Sequence, residues 1–90
     1  MTEFFPILIE VPEQSRPISR EEVRLVVNDL YPRVKALCSN AMEKFKLSNP
    51  LFLLRIMKVK KYSFSGLEET YLWDLFVLDN NHSVWIGGER

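Results

Sequence analysis

Residues 19–47 read SREEVRLVVNDLYPRVKALCSNAMEKFKL, and the spacing of their apolar positions decides the fold class. Ser19 and Glu22 have capping-box spacing: the serine hydroxyl accepts from the backbone of Glu22, and the Glu22 carboxylate reaches back to the backbone of Ser19. Ile18 before the cap and Val23 after it are placed to form a hydrophobic staple. Glu21 and Glu22 suit the positive end of the helix dipole. Beyond the cap, apolar residues recur at Val23, Val27, Leu30, Val34, Leu37, Ala41 and Phe45, with Val26, Cys38 and Met42 widening the stripe. Steps of three and four make one helical face over some six turns. Pro32 interrupts that face, removing one hydrogen bond and crowding the carbonyl of Asn28. The apolar phase nevertheless runs through it, and Tyr31 is a poor N-cap for a second helix. One helix bent near residues 28–32 is therefore expected, ending before Asn49-Pro50. A straight helix from Ser19 to Leu47 would be about 43 Å long, against ~19 Å for four strands side by side.

Strands surround this helix. In residues 4–11, Phe5, Ile7, Ile9 and Val11 alternate onto one face, while Phe4, Pro6, Leu8 and Glu10 take the other. Pro6 cannot donate to a ladder, so this strand is expected to lie at an edge or to begin there. Residues 51–64 form a strand-like run of mixed alternation that suggests a bulge. Residues 63–69 read as a loop around Gly66. Residues 71–78 and 83–86 are two strands turning at Asn80-Asn81, a pair that tolerates the positive φ of a type I′ hairpin. Residues 87–90 read as a tail. The expected fold is α+β in the order β-α-β-β-β, with one long kinked helix on one face of a mainly antiparallel four-stranded sheet. Ninety residues make a single domain, 1–90.

Composition narrows the function classes. The chain is 47% hydrophobic and 27% charged, which is ordinary for a globular domain and argues against wholesale disorder. Twelve basic residues balance twelve acidic ones. That balance weighs against nucleic-acid binding, which draws much of its affinity from phosphate contacts. The single cysteine, Cys38, excludes an internal disulfide and a cysteine-based metal cluster. Residues 1–5 lack a basic secretory n-region, and no apolar run reaches the ~18 residues of a membrane span. Cytoplasmic residence without a membrane is the expectation.

Few residues carry chemistry. Cys38 lies on the apolar stripe and reads as a small buried hydrophobe. His82, the only histidine, reads as a solvated turn residue. Glu68 and Glu69 are adjacent in a loop, and Asp74 and Asp79 are on opposite strand faces, so no carboxylate pair is set up as acid and base. Gly87-Gly88 is not a phosphate loop. No catalytic residue, metal, cofactor or small-molecule substrate is expected. The stretch Arg55, Lys58, Lys60, Lys61, Tyr62 and Phe64 mixes cations with aromatics, as single-strand nucleic-acid platforms do. Its plainer role is to keep an edge strand from aggregating.

Surplus apolar surface is the main functional pointer. With the turn at Asn80-Asn81, Val77 faces Val84, Phe76 faces Trp85 and Leu75 faces Ile86. Tyr71, Trp73, Leu75, Val77, Val84 and Ile86 share one face, which takes the helix. Leu72, Phe76, Leu78 and Trp85 share the other, with Asp74 among them. A single helix covers one face, so Leu72, Asp74, Phe76, Leu78 and Trp85 are expected at an interface with another protein chain, unless the loop at residues 63–69 folds over them. Asp74 there calls for a cation from Arg55, Lys58 or Lys60. The functional expectation is a small non-catalytic interaction module: a homodimer, or an adaptor, accessory subunit or inhibitor of a larger protein. The alternative is weak RNA or single-strand binding through residues 55–64.

Overall fold

The computed structural model describes residues 6–46, 50–79 and 82–89. Its elements are β1 (Ile7–Glu10), α1 (Arg20–Phe45), β2 (Leu51–Ser63), β3 (Gly66–Asp79) and β4 (His82–Glu89). The four strands form one sheet in the order β1-β2-β3-β4. β1 runs parallel to β2, as the intervening helix allows, and the other two pairings are antiparallel. This is the expected α+β domain with its helix on one side of the sheet.

The helix begins as its sequence dictates. Ser19 is the N-cap in an extended conformation, and both bonds of the capping box are present. α1 passes through Pro32 without a break. It stops at Lys46, which takes a left-handed conformation (φ 51°, ψ 48°) and donates its backbone N–H to the Met42 carbonyl. Leu47, Ser48 and Asn49 lie outside the described residues. The buried centre of the stripe is Leu30, Val34, Cys38 and Ala41, with Val23, Val26, Val27, Leu37 and Met42 on its flanks. Phe45, expected on the stripe, is exposed, because the helix has reached its end there.

Under the helix lie Phe52, Leu54 and Ile56 of β2 and Trp73, Leu75 and Val77 of β3, all buried. Cross-strand pairing sets them side by side: Phe52 opposite Val77, Leu54 opposite Leu75, Ile56 opposite Trp73. Each such side chain stabilises the fold by roughly 1.5–3 kcal/mol through burial. Ile7 of β1 and Ile86 of β4 pack against the margins. β1 is held to β2 even at its start, where Pro6 contributes its carbonyl to the Phe52 N–H at 3.0 Å.

Four expectations are corrected. β2 alternates regularly and carries no bulge. The irregularity lies instead between β3 and β4, where the register shifts at Leu75/Phe76. Val77–Val84 and Phe76–Trp85 pair as expected, but Leu75 faces Gly87 rather than Ile86. Residues 87–89 are therefore strand, not tail. Gly88 makes this passable: its φ is +150°, and a Cβ there would sit 2.3 Å from the Trp73 carbonyl oxygen. The expected loop at residues 63–69 is also strand. β2 and β3 continue to Ser63 and Gly66, and only Phe64 and Ser65 form the turn. Among the described residues neither has positive φ, so the reversal uses Gly66 at φ +114°. The expected type I′ turn at Asn80-Asn81 lies outside the described residues; Asp79 pairs with His82 on its flanks.

Candidate docking face

Alternation assigns every second strand residue to the side away from α1. Read across the sheet by register, Leu8, Leu53, Phe76 and Trp85 form one row. Leu51, Leu78 and Ser83 form the row on one side of it; Glu10, Arg55 and Asp74 form the row on the other. Met57–Leu72 and Val59–Thr70 follow. Leu8 and Trp85 are exposed at 51% and 48%, and Leu51, Leu53, Met57, Val59, Leu72, Phe76 and Leu78 are half-buried. They are shielded from the side by their sheet neighbours, and among the described residues no helix or strand lies above them. Because residues 63–69 extend the sheet instead of folding back, they do not cover this surface.

A polar row crosses the apolar field. Arg55 stands directly opposite Asp74 on one side and Glu10 on the other. The Arg55 Nε lies 3.5 Å from Glu10 Oε1, a separation that gives an ion pair without a well-formed hydrogen bond. Asp74 Oδ1 accepts from the indole Nε1–H of Trp85 at 2.9 Å. Of the three cations anticipated for Asp74, Arg55 alone is on this side of the sheet, directly across the ladder from it, while its ion pair is with Glu10. Glu10, Leu53, Arg55, Phe76 and Ser83 line a shallow depression of about 170 Å³ where the polar and apolar rows meet.

The five expected interface residues, Leu72, Asp74, Phe76, Leu78 and Trp85, therefore share one face. β2 adds Leu51, Leu53, Met57 and Val59, which the sequence reading missed. Leu51 to Leu54 are apolar in every position, so period-2 alternation leaves no mark there.

The six basic and aromatic residues at 55–64 do not form one patch. Arg55 and Lys61 point to the open side; Lys58, Lys60 and Tyr62 alternate to the helix side; Phe64 is in the turn. Lys58 is occupied. Its Nζ lies 2.8 Å from Glu22 Oε2 and 3.0 Å from Glu69 Oε2, and Tyr71 donates its hydroxyl to the same Glu22 oxygen at 2.7 Å. Bonds from Lys58, then Tyr71, then the Ser19 backbone hold the Glu22 carboxyl down at about 2. The same Lys58 contact lowers Glu69, and the Glu22 bond raises Tyr71. Lys60 and Lys61 face Glu69 and Glu68 across the β2–β3 ladder. Cys38 is fully buried, and burial pushes its thiol up to about 11. His82 is exposed at the start of β4.

Among the described residues no group of histidine, cysteine and carboxylate side chains is placed to hold a metal ion, and no helix is long and apolar enough to cross a membrane. No protein-family model, curated protein or solved structure matches this chain.

Proposed function

We propose that this domain is a small non-catalytic protein–protein interaction module that docks another chain on the open face of its sheet. The single observation carrying this reading is the two-sidedness of the sheet. Both faces are apolar, and α1 covers only one. Phe76 and Trp85 alone bring on the order of 150–250 Å² of surface each, and a monomer rarely leaves such a contiguous patch unused beyond a few hundred Å². The polar row supplies specificity. Two carboxylates flank one guanidinium, and a partner offering a cation over Glu10 would balance that row while its apolar groups cover Leu53, Phe76 and Trp85. A cytoplasmic adaptor, accessory subunit or inhibitor fits this description. The alternative, RNA or single-strand binding through residues 55–64, is weakened by the acidic partners of Lys58, Lys60 and Lys61.

The test is affinity capture from the source cell with the parent domain and with Phe76→Glu, repeated across a salt series. Stoichiometric retention of a protein by the parent only, with shallow salt dependence, supports the proposal. Retention of nucleic acid that falls steeply with salt, and is lost in Lys60→Gln/Lys61→Gln, would replace it.

A further inference from the structure

β3 is longer than the strand that covers it. β4 pairs with residues 73–79 only, so the outer edge of β3 from Gly66 to Leu72 has no strand beside it among the described residues. No proline or bulge interrupts this stretch, and unprotected edges of this kind are templates for strand addition. Its charges do not guard it, because they are answered within the chain. Glu69 is held by Lys58 at 3.0 Å and faces Lys60. Glu68 accepts from Ser65 Oγ at 2.7 Å and faces Lys61. The opposite edge of the same hairpin is different. There the 12–17 loop bonds both backbone groups of Lys58, through Arg16 N–H at 2.9 Å and Ser15 Oγ at 2.9 Å.

Two further features flank the free edge. One is the arm tip, where Tyr62, Phe64 and Leu67 are 87%, 113% and 51% exposed. The other is a cleft of about 500 Å³ between α1 and the edge, whose lining joins the apolar Leu25, Val26, Leu30, Tyr71 and Trp73 to charged groups of both signs, Arg33 and Glu89 among them. Leu25 there is itself 64% exposed.

We infer that two copies of this chain pair through this edge, β3 against β3 and antiparallel, to make one continuous eight-stranded sheet. The free stretch fixes the register. Aligning 66–72 with its own reverse places Glu69 on the two-fold axis and sets Leu67 opposite Tyr71 of the second copy. Paired residues share a face, so Leu67 lands on the cleft side, with its cross-strand neighbour Tyr62 beside it. Phe64 reaches the end of β4 of the second copy. Projecting tip and receiving cleft lie at opposite ends of one edge, which is what a self-complementary two-fold contact requires. Four aromatic rings at roughly 150–250 Å² each would bring on the order of 600–1,000 Å², before Leu67 and the two strand edges are added, against about 1,200 Å² for a specific interface. A two-fold axis normal to the sheet keeps both open faces on the same side. The dimer would therefore present a doubled docking surface, although the pairing itself does not depend on that surface having a ligand.

The experiment is molar mass by light scattering over a concentration series, with variants that separate the two surfaces. The parent is expected at twice 10.6 kDa. Leu67→Glu, on the exposed arm, is expected at the single mass with unchanged circular dichroism. Phe76→Glu is expected to stay at the double mass. In a second measurement, Glu69→Cys should form a disulfide-linked dimer on mild oxidation, since opposed residues at an antiparallel axis are close enough to bridge, whereas Arg24→Cys on the helix should not. A parent that stays monomeric at every concentration overturns the proposal. So does dissociation by Phe76→Glu but not by Leu67→Glu, or cross-linking of Glu69→Cys no faster than of Arg24→Cys.

Discussion

Glu22 closes the capping box and also receives Lys58 and Tyr71 from the sheet, so a single carboxylate joins the start of the helix to β2 and β3. Its depressed pKa makes this join pH-dependent with a definite sign. A carboxyl lowered in the folded state stabilises the fold above its unfolded pKa of about 4.3, and the contribution drains away as pH falls towards 2. Glu22→Gln should therefore flatten the decline in denaturation midpoint between about pH 4.5 and 2, while lying below the parent at pH 7. Identical slopes in parent and variant would show that the cluster does not form. Gly88→Ala is a second test at this scale. The new methyl would meet the Trp73 carbonyl in a backbone conformation unsuited to alanine, so a loss of roughly 1–3 kcal/mol is expected, read as a lowered denaturation midpoint. The capping role of Glu22 was legible from its spacing to Ser19. Its bond to Lys58 was not, because that contact spans 36 residues and depends on which face of β2 the lysine takes.

Among the elements, α1 was the most legible. Caps and a 3.6-residue period are local signals, and they persist through Pro32 because apolar phase is set by packing against the sheet. An interior proline costs about 3 kcal/mol and returns up to ~1 kcal/mol by restraining the unfolded chain. Pro32→Ala should therefore stabilise the domain by about 2 kcal/mol, and Ser19→Ala should destabilise it by about 1 kcal/mol, both measurable by equilibrium denaturation. The β2–β3 arm was the least legible. Gly66 with its serines resembles a loop, and Leu51 to Leu54 hide their alternation by being apolar on both faces. A usable signal was nevertheless present. Lys60-Lys61 and Glu68-Glu69 are mirror images about Phe64-Ser65, and opposite charges placed symmetrically about a two-residue turn favour a hairpin. The bulge at Leu75/Phe76 left a weaker trace, the Gly87-Gly88 pair at the point where β4 must pass close to β3.

For the whole molecule, the sheet is an asymmetric layer, with the centre of one apolar face covered by the helix and the other face open, and an arm of β2 and β3 extending it. Five residues of the open face were readable from the β3–β4 hairpin alone, because its register follows from a two-residue turn. Their β2 neighbours needed the three-dimensional register. Leu75 and Phe76 are adjacent on β3 and point to opposite faces, Leu75 fully buried under α1 and Phe76 half-buried on the open side. Equilibrium denaturation of Leu75→Glu beside Phe76→Glu, in the isolated domain, is the most direct measurement. Leu75→Glu should abolish the cooperative transition, since it buries an unpaired charge. Phe76→Glu should keep the native circular dichroism and lose no more than about 2 kcal/mol, the scale of the partial burial and cross-strand contacts it gives up, while losing any chain captured by the parent. If both variants unfold, the second face is interior core and not a docking surface.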